Sequence, residues 1–433
     1  MCYAIPGKVK EIGEKSVLVD YFGETRKAIN EFYDVRIGDY VCAQGGFVIK
    51  KVSPSEAEST LSAWQELFFE LKQIDLRLSR LDLKNKGIDK RLSSILDNAL
   101  ENKSLSLEDL LYLFNTESRS GIELIYKTAN FLRQKYIKNS CCVHGIIEIS
   151  NYCTQGCMYC GISTHNKALG RYRMTHKEIV DSALLAIEEF GFKAILLQSG
   201  EDAFYTADRL ADIVAEIKAK AGVLICISFG EIGIDGLEKL YKAGARAILM
   251  RFETSNPKIY ERLHPGRSLN TRLDHIKKAG QIGYLIMTGG LIGLPDQTRE
   301  DIINDIYLAK ELQAEMYSFG PFLPHPETPL ASNSPPNEDD VLKALALTRL
   351  IDPEKSKILV TTAFETLCPD ARRHGLLAGA NSVMLNVTPI KYRKQYSIYP
   401  NRAYDKEEIT TQIKETIALL QSLGRAPTDL GVN

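Results

Sequence analysis

The stretch Ile147-Glu148-Ile149-Ser150-Asn151-Tyr152-Cys153-Thr154-Gln155-Gly156-Cys157-Met158-Tyr159-Cys160 runs from an apolar segment into a loop holding three cysteines spaced C-x3-C-x2-C. The apolar run predicts a β-strand over 145–150. Asn151, Tyr152, Thr154, Gln155 and Gly156 predict a loop after it, not a core segment. Three thiolates this close can ligate three irons of a [4Fe–4S] cluster and leave the fourth iron without a protein ligand. Structural clusters and structural zinc sites normally close all four positions. A zinc knuckle is the competing reading, with Cys141, Cys142, His144 or His165 as a fourth ligand; three buried structural thiols is another.

From about residue 95 onward, apolar runs alternate with helical stretches. Strands are expected at 145–150, 194–199, 223–228, 247–252, 284–289, 316–320, 357–362 and 382–385, which argues an α/β (β/α)8 barrel over 95–433. Thr175 with Glu178, and Thr298 with Asp301, mark capped helix starts. Polar residues gather at the carboxyl ends of these strands: Ser199, Gly200 and Glu201; Ser228; Arg251 and Glu253; Gly289 and Gly290; Thr361 and Thr362. In such a barrel that face carries the active site. Arg251 and Glu253 taken alone would also suit an ordinary salt bridge, and Met316 and Met384 would suit plain core.

Residues 1–52 alternate short β-like runs (Val17–Phe22, Lys27–Ile29, Tyr40–Ala43, Phe47–Ile49) with turns, a small OB-like β-barrel pattern. A helical linker is expected over 53–94. Ser53 is its N-cap, Pro54 its first helical residue and Glu56 completes a capping box. Its apolar face is Leu61, Trp64, Phe68, Leu71, Ile74 and Leu78, and a flexible break falls at Lys84–Asp89. Across the 433 residues the net charge is −1 and 44% are apolar. That gives ample core and no electrostatic footprint for nucleic acid or a membrane surface. The charged start and the absence of a long apolar run predict a cytoplasmic protein with reduced thiols.

With Tyr159 inside it, the cysteine run resembles the signature of the radical S-adenosylmethionine (SAM) superfamily. Arg171-Tyr-Arg-Met-Thr175, Leu197-Gln-Ser-Gly-Glu-Asp202, Arg251-x-Glu253-Thr254, Leu263-His-Pro265, Gly293-Leu-Pro295, Gly320-Pro-Phe-x-Pro-His-Pro326 and Thr361-Thr-Ala363 make the barrel similar to the HydE-type [FeFe]-hydrogenase maturases. Biotin synthase and methylornithine synthase share the cysteines. The resemblance implies that Cys153, Cys157 and Cys160 hold a [4Fe–4S] cluster whose open iron chelates SAM, yielding a 5′-deoxyadenosyl radical. It implies SAM contacts from Tyr159, Ser199, Gly200, Glu201, Ser228, Glu253, Arg272 and Ile292. It further implies a substrate cavity formed by Gln198, Arg251, Met316, Thr361, Thr362, Met384, Tyr396 and Tyr399. The implied substrate is a cysteine-bound iron carbonyl–cyanide complex, a small organometallic molecule. The implied partners are other hydrogenase maturation proteins and an electron donor such as ferredoxin or flavodoxin.

Met1-Cys-Tyr-Ala-Ile-Pro-Gly-Lys-Val9, with Gly38-Asp-Tyr-Val41 and Gly46-Phe47, resembles the HypC/HybG hydrogenase chaperones. In that family the second-position cysteine, here Cys2, helps hold an iron bearing CO and cyanide. This chain reads Gln44 where the family has a histidine, and Gln is a poor iron ligand. The module is therefore expected either to dock a maturation partner or to bring an iron unit to the barrel mouth. A radical SAM enzyme acting on an amino acid, and a non-catalytic iron-complex scaffold, are the alternatives.

Overall fold

Inward apolar residues, alternating with outward ones in β2 and continuous in β4, build five short strands: β1 (Gly7–Ile12), β2 (Ser16–Tyr21), β3 (Glu24–Ile29), β4 (Tyr40–Gln44) and β5 (Phe47–Val52). They close into a barrel in the order β1-β2-β3-β5-β4 in this computed structural model, which describes residues 3–81 and 89–431. Closure removes the free sheet edges that a five-stranded sheet would expose. Cys2 lies outside the described residues, as does the expected break at Lys84–Asp89 apart from Asp89. Asp89 caps the helix Lys90–Leu100 by accepting the Leu92 N–H at 2.9 Å.

The helix Pro54–Leu78 starts at Ser53, whose hydroxyl accepts the Glu56 N–H at 3.3 Å. The reciprocal half of the expected capping box is replaced: the Glu56 carboxylate accepts from Lys50 at 3.0 Å. Trp64, Phe68 and Leu71 are buried, whereas Leu78 is exposed. The last turn instead buries Asp75, clasped by Arg133 through two hydrogen bonds of 2.8 and 2.7 Å.

The large domain is a parallel barrel. Its strands are β6 (Ser140–Ser150), β7 (Ala194–Ser199), β8 (Leu224–Ser228), β9 (Ala245–Leu249), β10 (Leu285–Thr288), β11 (Leu291–Ile292), β12 (Met316–Tyr317), β13 (Gly320–Pro321), β14 (Lys357–Ile358), β15 (Ser382–Asn386) and β16 (Ala426–Pro427). The order β15-β6-β7-β8-β9-β10-β12-β14 closes through a Leu359–Ser382 bridge, with Val360 N–H donating to Ser382 O at 2.9 Å. β11 and β13 pair as a short extension above it, and β16 pairs with β6 below. Both hydroxyl-to-carboxylate caps, Thr175 with Glu178 and Thr298 with Asp301, form in full.

β6 begins five residues before its expected start. Cys141, Cys142 and His144 are therefore strand residues near the amino end of β6, about 20 Å or more below Ser150 at 3.3 Å per residue. They cannot complete a zinc site with the cysteine loop. His165, the remaining candidate, is hydrogen-bonded through Nε2 to Gly156 O at 3.1 Å.

The small barrel docks on that same amino end. Cys42, Phe47, Ile49 and Val52 share one apolar cluster with Leu196, Leu224, Cys226 and Met287 of the large barrel. Gly45 at the β4–β5 turn has φ +55°, and a Cβ there would lie 2.8 Å from Leu224 and 2.9 Å from Leu285. Phe32 packs under Arg246, which also donates to Glu31 at 2.9 Å. The module thus closes the barrel floor, opposite the end where the cysteine loop lies.

Among the described residues no helix is long and apolar enough to cross a membrane.

Candidate active site

At the carboxyl ends of the strands lies a cavity of about 300 Å³, the size of a small-molecule site. The three cysteines line it together from the loop after β6. That loop is held tightly. Arg171 donates to the backbone oxygens of Asn151, Ile162, Ser163 and Asn166. Gly200 lets the turn after β7 approach so closely that a Cβ would lie 2.4 Å from Tyr152 O and 2.7 Å from Cys153 Cβ.

The donors suit an iron–sulfur cluster. The Gln155 N–H points at Cys153 Sγ at 3.5 Å, and the Ile162 backbone hydrogen-bonds to Cys160. Backbone N–H groups aimed at sulfur stabilise thiolate ligands. The three sulfurs do not all fall within 4.8 Å of one another. A tetrahedral zinc would hold its sulfurs about 3.8 Å apart, given Zn–S bonds near 2.3 Å; a cubane spreads them wider. Burial pushes the Cys160 thiol up to about 12 and Cys157 upward too, and the nearby Arg251 and Arg272 offset only part of the lost solvation. Bound metal would supply further positive charge and displace the protons.

Expected residues from five strands line the cavity. Gln198 and Ser199 end β7, Ser228 ends β8, Arg251 and Glu253 follow β9, Thr361 and Thr362 follow β14, and Met384 sits on β15. All of these line the cavity, with Tyr159, Gly200, Glu201, Arg272, Tyr396 and Tyr399. Glu253 holds φ +67° and is bridged to Gly290, where a Cβ would lie 2.4 Å from Glu253 O. A charged residue in the left-handed region beside such a close backbone approach is strain of the kind concentrated at functional sites. Its Oε2 is buried without a hydrogen bond, 3.2 Å from Arg251. That leaves an acceptor suited to a sugar hydroxyl. Gln198 donates to the Tyr396 hydroxyl at 3.2 Å.

Two expected residues lie elsewhere. Ile292 is fully buried in the core and does not line the cavity; its neighbour Leu291 does. Met316 lines the void at the barrel floor and not this cavity.

Five residues without an expected role join the site. Arg267 is a hub: it donates to Gln155 at 2.6 Å, to Glu231 at 2.8 Å, and to Glu201. Arg272 lies 3.3 Å from Glu231. His264 Nε2 pairs with the Tyr159 hydroxyl at 3.1 Å while Nδ1 lies 2.9 Å from Tyr260 O. Burial lowers its pKa to about 4, so the imidazole stays neutral. The tautomer that satisfies both bonds carries its proton on Nδ1 and accepts from Tyr159. Glu148 on β6 and Arg402 from the C-terminal segment form a buried ion pair. Glu148 was visible as a lone charge between Ile147 and Ile149; Arg267 and Arg402 carry no sequence signal.

The Radical SAM superfamily profile matches residues 147–309, and the HupF/HypC family profile matches residues 1–64. The chain is 40% identical to the [FeFe] hydrogenase maturase subunit HydE of Thermotoga maritima over 76% of its own length and 93% of that protein. It is 30% identical to the 3-methylornithine synthase of Methanosarcina acetivorans, over 76% of this chain and 93% of that one. The crystal structure of methylornithine synthase (PylB) superposes with a TM-score of 0.67 at 27% identity, covering 77% of this chain and 97% of that one. The protein is a radical SAM enzyme of the HydE family, extended at its amino end by a HupF/HypC-family domain.

Proposed function

We propose that this enzyme acts on a cysteine-bound iron carbonyl–cyanide complex during assembly of the [FeFe]-hydrogenase active site. As a radical SAM enzyme it uses a [4Fe–4S] cluster and SAM, which together supply a 5′-deoxyadenosyl radical. Cys153, Cys157 and Cys160 would hold the cluster. Ser199, Gly200, Glu201, Ser228, Glu253 and Arg272 would receive SAM, with Tyr159 beside the adenine and Leu291 taking the apolar place expected of Ile292. Arg267, held by Glu231, would fix Glu201 so that its carboxylate does not turn away from the cavity.

The observation that carries the substrate reading is the chemistry of the cavity's inner wall. Arg251, 3.2 Å from Glu253, lines that wall together with Thr361, Thr362, Tyr396 and Tyr399, with Met384 as a polarizable neighbour. A guanidinium and several hydroxyls lining one cavity favour a small anion with several acceptors, such as a carboxylate or a bound cyanide. A thioether wall tolerates an irregular, soft guest. The enclosing barrel excludes water from a radical reaction. The maturase relationship supports the same reading.

In this reading residues 1–52 form the docking module, 53–94 the linker and 95–433 the catalytic barrel. The partners are other maturation proteins and a cytoplasmic electron donor such as ferredoxin or flavodoxin. The test is anaerobic reconstitution with dithionite and SAM, comparing a cysteine-bound iron carbonyl–cyanide complex with free lysine and ornithine. Deoxyadenosine formation coupled to consumption of the iron complex is expected. Turnover coupled to an amino acid alone would replace this substrate with the methylornithine-synthase type.

A further inference from the structure

The barrel floor holds a second set of donor side chains, remote from the cysteine loop. Cys142 and His144 lie two residues apart on β6 and so share its inward face. Asp429 follows β16, whose Pro427 is paired with Cys141. One donor atom from each of Cys142, His144 and Asp429 lies within 4.8 Å of the others, and all three residues are buried. His144 Nε2 is 3.2 Å from Asp429 Oδ2. Its Nδ1 is buried with no hydrogen-bond partner, in a residue only 4% exposed. Asp429 also accepts the Val143 N–H at 3.3 Å and the Thr428 hydroxyl at 2.8 Å, and Cys142 is hydrogen-bonded to the Thr428 side chain.

Beside this set is a void of about 10 Å³, room for roughly one water, lined by His144, Gly45, Glu315 and Lys357 among others. Gly45 belongs to the small barrel, so an extra ligand at this point would sit beneath the β4–β5 turn. One side-chain layer separates the void from the active-site cavity. On β6 His144 lines the void and Ile146 the cavity; on β9 Ala247 and Leu249 divide in the same way. Two residues along a strand span about 6.6 Å.

A thiolate, an imidazole and a carboxylate converging in a buried place are the donors of a borderline-soft divalent ion, and they leave an open position when only three are present. We propose that Cys142, His144 and Asp429 bind one divalent transition-metal ion of the iron–cobalt–zinc class, closed over by the Gln44–Gly46 turn of the small barrel. Binding exchanges the Cys142 thiol proton for the metal, with no change of oxidation state. The plainer role for the same residues is a hydrogen-bonded staple that holds the C-terminal segment on β6, and a staple takes up no metal.

The experiment uses the full chain with its iron–sulfur cluster reconstituted, freed of loose metal by a chelator and titrated anaerobically with Co2+. Uptake of one Co2+ per chain with a thiolate-to-cobalt charge-transfer band is expected. Cys142→Ser should abolish the band, and His144→Gln should weaken binding at least tenfold. Cys368→Ser should leave both unchanged. X-ray absorption on the cobalt-loaded wild type decides the matter even if a variant fails to fold: a shell of one sulfur with nitrogen and oxygen supports the site. Absence of stoichiometric uptake, a band that survives Cys142→Ser, or a shell with no sulfur or several sulfurs overturns it.

Discussion

Arg402 is clamped against Glu148 in the wall of the active-site cavity, joining the C-terminal segment to the strand that leads into the cysteine loop. The carboxylate also accepts the Asn386 amide at 3.0 Å, so β6, β15 and the segment carrying Tyr396 and Tyr399 meet at one charge pair. The pair therefore sets where the two tyrosines stand relative to Cys153, Cys157 and Cys160.

Removing one partner strands a buried charge, which costs about 3–5 kcal/mol, whereas an apolar replacement of the whole pair is often neutral. Arg402→Met is expected to lower the unfolding free energy measured in urea by that amount, the midpoint falling at unchanged slope. Adding Glu148→Leu should restore most of the stability while SAM cleavage stays impaired. Additive losses in the double variant would show that the two side chains are not coupled.

Gly200→Ala tests how closely the turn after β7 rides on the cysteine loop. The added carbon would sit 2.4 Å from Tyr152 O and 2.7 Å from Cys153 Cβ, so one of the two loops must shift. We expect a loss of about 1–3 kcal/mol from overpacking. Iron retained per chain should fall by more than that destabilisation accounts for. Normal iron content and SAM turnover would mean the cysteine loop tolerates the displacement.

The barrel was legible because parallel strands buried on both faces read as continuous apolar runs. The amino half of β6 was not, since Ser140, Cys142 and His144 look polar in sequence and are covered by β15, β16 and the small barrel, contacts made across the whole chain. Ile292 and Leu291 differ by one residue, and in extended chain that reverses which face a side chain meets. Met316 was placed on the right strand but in the wrong layer, because apolar character does not encode height along a barrel axis. Arg267 and Arg402 act through partners that only folding brings near.

Gly45→Val probes the seal between the two barrels. Its φ of +55° disfavours a branched side chain, and the first added carbon would meet Leu224 and Leu285 below 3 Å. Left-handed strain and overpacking together are expected to cost about 2–4 kcal/mol. The freed floor residues Leu224, Leu285 and Met287 should then bind a hydrophobic dye. Dye binding at the wild-type level with an unshifted midpoint would mean the turn is not seated in the floor.

Asp305 supplies a pH dependence of defined sign. The carboxyl is 1% exposed and accepts from the Gln297 amide at 3.1 Å and from the Ser255 N–H. Desolvation outweighs those donors and raises its pKa from 3.8 to about 7. Between those values the folded state holds a proton that the unfolded state has released, so this contribution to stability is full below about pH 4 and is lost as pH rises through 7. The loss is at most about 4 kcal/mol, at 1.4 kcal/mol per unit. Asp305→Asn removes the titration, although its amide would face the Gln297 donor and reduce stability overall. The wild-type advantage over the variant should therefore shrink by about 3 kcal/mol between pH 5 and pH 8, read from urea midpoints at both. An advantage that stays constant or grows with pH would show that Asp305 is ionised in the folded protein throughout.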